Sequence, residues 1–198
     1  MAAYSDDDVV ELIARQKCYD VLTRYCRALD RADVDLMRSV YWEDGMDDHG
    51  VFKGNAHEFS DFIIKEIQNW FEVTMHSISN VHMEYHGDTM CTESYLTAYH
   101  KVNGDKEKIE AVQGSEYYSK LNLAQVGDTH HVFFYGGRYI DRLEKRNGEW
   151  KIALRRVVMD WNEHWPGCTI LDDGMCETLT LRGSRDHQDP AFQNKPVK

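Results

Sequence analysis

The chain has 198 residues, 42% of them hydrophobic and 12% aromatic, which is enough for one domain with a substantial core and excludes a disordered polymer. Its 34 acidic residues against 23 basic ones leave a formal net charge of −11, which repels phosphate backbones and excludes nucleic acid as the expected partner. No apolar run approaches the roughly 18–20 residues that cross a bilayer, so no membrane partner is expected.

Residues 6–29 predict the first helix, with Val10, Ala14, Cys18, Val21, Leu22, Tyr25 and Leu29 recurring at three- and four-residue steps. Ser5 is its expected cap, and the acidic residues 6–8 suit the positive end of the helix. A short second helix is predicted over 34–41, started by Asp33 and broken by Gly45 and the acidic residues Asp44, Asp47 and Asp48. Residues 48–52 read as a short strand ending at Gly54. Asn55 then caps a third helix, with Glu58 three residues on and an apolar face of Phe59, Phe62, Ile63, Ile67, Trp70 and Phe71.

Beyond this point the period changes. Residues 74–85, 89–102, 131–145 and 150–161 are rich in Val, Tyr, Thr and Phe and predict strands. His86-Gly87-Asp88 and Arg146-Asn147-Gly148-Glu149 predict hairpin turns. Residues 103–128 predict a long loop or an added helical piece, and little periodicity follows Trp161. Helices first and antiparallel strands afterwards make an α+β fold, with a curved sheet wrapped around the first helix as a cone with one open mouth. The N-terminus lacks the basic and apolar stretches of a signal peptide, and the five cysteines at 18, 26, 91, 168 and 176 form no CxxC pair. Both features predict a cytoplasmic protein with reduced thiols.

Two titratable residues stand out. Asp30 closes the first helix, where a carboxylate opposes the helix dipole, and His76 lies in the first long strand. A carboxylate that orients an imidazole is the minimum equipment for proton transfer near neutral pH. Ordinary structural roles, a turn-starting Asp and a hydrogen-bonded sheet His, are the alternative. His76, His82 and His86 share strand parity, which raises a metal site. The apolar phase reverses after Ile78, however, and a bulge near Ser79-Asn80 turns His82 and His86 away from His76. No HExxH or Cys/His cluster is present, so no metal is expected. Gly136-Gly137 lacks the GxGxxG spacing and reads as a bend in a strand, and no GxSxG elbow occurs.

Four segments in order carry a resemblance: Arg24-Tyr25-Cys26-Arg27-Ala28-Leu29-Asp30-Arg31, Thr74-Met75-His76-Ser77-Ile78-Ser79-Asn80, Gly136-Gly137-Arg138-Tyr139-Ile140-Asp141-Arg142 and Gly148-Glu149-Trp150-Lys151-Ile152. Together, over residues 9–162, they resemble the SnoaL-like branch of the nuclear-transport-factor-2-like superfamily. The resemblance implies a cone-shaped α+β barrel over 1–162 with a deep apolar pocket, and a 163–198 tail that packs on the domain or on a neighbouring subunit. It implies a cofactor-independent lyase in which Asp30 pairs with His76 as general base. Tyr25 stands where dehydratase members carry a catalytic Tyr, although a five-residue offset turns about 140° around a helix, away from Asp30. Arg155, five after Trp150, stands where a dehydrochlorinase member has Arg, and is expected to bind substrate or a leaving group. His49 lies near the place of a second dehydratase Tyr, as a further substrate-binding residue.

A core aromatic role for Tyr25 and a surface salt bridge for Arg155 remain the alternatives. The expected reaction is dehydration of a hydrophobic cyclic substrate of steroid, polyketide or aromatic type. An isomerase or cyclase using the same pair, a ligand carrier, and a non-catalytic subunit like the small subunit of ring-hydroxylating dioxygenases stay open. A homo-oligomer, dimer or trimer, is expected of an open barrel with one exposed sheet face.

Overall fold

A computed structural model describes residues 4–122 and 129–194. The first helix, α1 (Asp6–Arg31), opens with a reciprocal cap: Ser5 Oγ accepts from the Asp8 amide, and the Asp8 carboxylate accepts from the Ser5 amide. It ends at Ala32, which takes the left-handed conformation at φ 51°. Its inner face buries Ala14, Cys18, Val21, Leu22, Tyr25 and Leu29, whereas Val10, in the first turns, is exposed.

The second helix, α2 (Val34–Ser39), is capped by the Asp33 side chain and is shorter than predicted. Tyr41 instead begins β1 (Tyr41–Asp48), which runs straight through the acidic cluster expected to break a helix. Tertiary partners make that possible. Asp44 pairs with Arg146 at 2.6 Å, Asp48 with Lys53 at 2.9 Å, and Asp47 accepts from the Tyr41 hydroxyl at 2.5 Å. Gly45 sits in a bulge rather than a helix stop, since a Cβ there would come 2.8 Å from the Trp42 carbonyl oxygen. Of the predicted 48–52 strand only Asp48 is extended, as the end of β1; residues 49–52 turn into β2 (Lys53–Asn55), with Gly50 at φ 73°.

Asn55 caps α3 (Ala56–Trp70) through the amides of His57 and Glu58. Four long strands follow: β3 (Phe71–His86), β4 (Thr89–Val102), β5 (His131–Arg146) and β6 (Glu149–Pro166). Between β4 and β5 lie two short helices, α4 (Lys106–Gln113) and α5 (Ser115–Ser119); residues 123–128 of the predicted loop fall outside the described part. The six strands form one sheet in the order β2-β1-β6-β5-β4-β3. Only β1 and β6 pair in parallel among them. Asn147 and Gly148, both at positive φ, make the β5–β6 turn that matches the strand twist.

Two irregularities curl this sheet around α1 and α3. Asn80, at φ 45°, sits where the β3–β4 register slips between Ser79 and Val81, and this slip exposes His82 and His86. The β5–β6 register shifts at Gly136/Gly137, where the Trp161 ring occupies the space a Cβ on Gly136 would need.

The strand β6 continues to Pro166, past the domain boundary expected at 162. After a short 3-10 turn (Gly174–Thr178) the chain folds back and ends in α6 (Pro190–Gln193). Arg31 donates to the Ser184 carbonyl and pairs with Asp189 at 3.0 Å. Arg185 donates to the carbonyls of Ile67 at 2.9 Å and Phe71 at 2.7 Å, tying this segment to the junction of α3 and β3. Among the described residues no helix is long and apolar enough to cross a membrane.

Candidate active site

Asp30 is buried at the end of α1, facing the first turn of strand β3. Its carboxylate accepts three hydrogen bonds: from Thr74 Oγ1 at 2.9 Å, from the His76 amide at 2.9 Å and from His76 Nδ1 at 2.7 Å. The strand backbone and the strand side chain are thus gripped by one group, and the His76 ring has no freedom to turn. With Nδ1–H donated to the carboxylate, Nε2 keeps the lone pair that a general base needs.

That ring faces an open-mouthed cavity of about 360 Å³ lined by α1, α3 and the concave side of the sheet. Leu29, Ile63, Ile67, Phe71, Leu96 and Phe133 make most of its wall apolar, and the polar interruptions are three histidines and two tyrosines. A volume of this size lies in the roughly 300–1,000 Å³ range of small-molecule sites.

The second histidine is His100 on β4, which the sequence reading missed. Ala98 pairs with His76 across the two strands, so His100 is the diagonal neighbour, and the rings meet edge to face at 5.2 Å. Its Nδ1 donates to the Phe133 carbonyl at 3.2 Å, since a carbonyl only accepts. Burial, with the charge of His76 adding to it, pushes its pKa down to about 3. His100 therefore stays neutral beside a protonated His76. One signal was readable beforehand: Met90, Leu96, Ala98, His100 and Val102 share the buried phase of an alternating strand.

The third histidine, His49, follows β1 and comes to the same cavity. Its Nδ1 is 2.9 Å from Asp47 Oδ1, and its ring stacks on Phe59 with centroids 4.7 Å apart.

Tyr25 and Arg155 are placed elsewhere. Both are fully buried behind Tyr139 and do not line the cavity. Arg155 makes a two-pronged pair with Asp141, with both N–O distances at 2.7 Å, and its guanidinium lies 3.8 Å from the Tyr25 ring centre and 4.1 Å from that of Tyr139. Burial opposes the charge on Arg155, but the Asp141 carboxylate outweighs it and holds its pKa well above the usual value. The Tyr25 hydroxyl has no hydrogen-bond partner among the described residues, and burial raises its pKa far above the ordinary value. The side chains expected to assist the leaving group are thus engaged with each other, for an arginine inside a barrel needs a counter-charge before it can serve a ligand. Among the described residues no three His, Cys, Asp or Glu side chains converge as a metal site.

A type 2 hexachlorocyclohexane dehydrochlorinase (LinA) superposes with a TM-score of 0.65 at 15% identity, covering 85% of this chain and 99% of that one. A type 3 LinA from Novosphingobium barchaimii LL02 gives 0.64 at 14%, over 82% and 97%. A protein of Novosphingobium aromaticivorans DSM 12444, provisionally assigned as a scytalone dehydratase, gives 0.58 at 15%, over 81% and 91%. At such identities the likeness is one of fold. No curated protein matches the sequence. The family model for the SnoaL-like domain matches residues 10–156, and the chain belongs to that family, within the nuclear-transport-factor-2-like superfamily.

Proposed function

We propose that this chain is a cofactor-independent lyase, a dehydratase of a hydrophobic cyclic substrate of steroid, polyketide or aromatic type. The observation that carries this reading is His76, oriented through Nδ1 by Asp30, on the wall of an otherwise largely apolar cavity. Nε2 of His76 takes a proton from the carbon next to a carbonyl. The C–H electrons become the new C=C bond, and the C–O bond to the β-hydroxyl breaks. Asp30 stabilises the imidazolium that forms, as the buried Asp of a serine-protease triad does. The apolar wall expels water from the hydrocarbon body of the substrate and leaves the polar groups to orient it. A fold shared with a dehydrochlorinase supports elimination as the reaction class.

The test is turnover of β-hydroxy ketones of increasing size, from the aldol adduct of acetone and benzaldehyde to a β-hydroxy steroid ketone, followed by absorbance of the enone and by mass. His76→Ala is expected to lower turnover at least about a hundredfold, the scale of a lost acid–base group. Near-normal turnover in that variant would sink the mechanism. Conversion of a β,γ-unsaturated steroid ketone to its conjugated isomer at unchanged mass, with the β-hydroxy ketones left intact, would instead make the protein an isomerase using the same dyad.

A further inference from the structure

Elimination of hydroxide needs a proton as well as a base, and Tyr25 is sealed away from the cavity. The cavity does contain a second carboxylate–imidazole pair. His49 and His76 come from strands nearly the full width of the sheet apart, and its curl brings both to one cavity. Asp47 is fully buried, accepts from the Tyr41 hydroxyl on Oδ2, and holds His49 Nδ1 on Oδ1. Because both oxygens are engaged, the carboxylate cannot swing away, and Phe59 fixes the plane of the imidazole. The other ring nitrogen of His49, Nε2, makes no hydrogen bond among the described residues.

We propose that His49, held by Asp47, is the general acid of the reaction: its Nε2–H protonates the departing hydroxyl while His76 removes the carbon-bound proton. This assignment rests on the lyase reading above. The balance closes without a co-reactant. His76 gains one proton, His49 loses one, the C–O electron pair leaves with oxygen as water, and one proton passes from His76 to His49 through solvent before the next turnover. Two histidines with the same partner chemistry then act in opposite protonation states, and the neutral His100 packs beside His76. The groups near His49 are Asp47, which also binds the Tyr41 hydroxyl, and Asp141 on β5, which pairs with Arg155 on β6, with Tyr139, His76 and His100 also lining the cavity. Asp141 is already paired with Arg155, so Asp47 is the carboxylate that holds His49.

Leaving groups test the assignment. The probes are the acetone–benzaldehyde adduct and its acetate ester, which loses the same carbon-bound proton but expels acetate, a group that needs little protonation. His49→Gln is expected to lower turnover of the alcohol at least about a hundredfold and to raise the ester-to-alcohol ratio at least about tenfold. The ester turnover that remains also reports an intact fold. Asp47→Asn, which loosens the hold on the His49 ring, is expected to raise the ester-to-alcohol ratio in the same direction and by a smaller factor. An unchanged ratio in His49→Gln overturns the acid and leaves the lyase reading standing. Ester and alcohol both lost in His49→Gln but not in Asp47→Asn also overturns it. Failure of the wild-type protein on both probes overturns the lyase reading and the acid with it.

Discussion

On the cavity wall Asp30 faces His76 at 2.7 Å; behind Tyr139, Asp141 faces Arg155 at the same distance. Both are buried pairs of a carboxylate with a nitrogen base, and they differ in what the nitrogen partner has left over. The His76 ring spends one nitrogen on its carboxylate and keeps the other for the cavity. Arg155 has no lone pair to give; two of its nitrogens are engaged by Asp141, and its guanidinium lies against the rings of Tyr25 and Tyr139. An imidazole next to open space is equipment for chemistry. A guanidinium held by a carboxylate and set against two phenol rings has no such space beside it.

The strongest way to break this contrast is Asp141→Ala. If the deeper pair is structural, its loss strands a buried charge and lowers stability by about 3–5 kcal/mol, read from urea denaturation. A stable variant with lost turnover would instead move Arg155 to the active side.

The middle effect is acid sensitivity from the wall. His100 has a folded pKa of about 3 against the usual 6.5, so between those values the unfolded chain binds a proton that the folded chain refuses. Stability therefore falls as pH drops through that window, by about 1.4 kcal/mol per pH unit for this one group. His100→Gln should make the pH dependence of the urea midpoint shallower by one proton; an unchanged slope would mean that His100 is charged in the folded protein.

The smallest effect sharpens the contrast most. Tyr25→Phe removes a hydroxyl that has no partner among the described residues, and should leave stability within about 1 kcal/mol and turnover within about threefold. A hundredfold fall in turnover would show that the hydroxyl reaches substrate in a rearranged cavity.

Much of this was legible beforehand because it is local. The 3.6-residue apolar stripe of α1, the alternation of β4 and the Asn-Gly turn each report on neighbours within one element. So did the phase reversal after Ile78, which a bulge at Asn80 explains. The strand β1 was not legible, because Asp44, Asp47 and Asp48 look like breakers until Arg146, Tyr41 and Lys53 arrive from elsewhere in the chain. The role of His100 was hidden for the same reason: its strand phase was visible, but its place beside His76 depends on the β3–β4 register.

By itself the sequence determined the α+β order of elements, the apolar faces that must be buried, and the pairing of Asp30 with His76 that a family pattern implied. Only the tertiary structure decided which polar groups face open space. It put His49 and His100 at the cavity and folded Tyr25 and Arg155 behind it. The reason is physical. Periodicity says that a side chain points inward, but whether it meets a void or a counter-charge depends on strands far away in the chain.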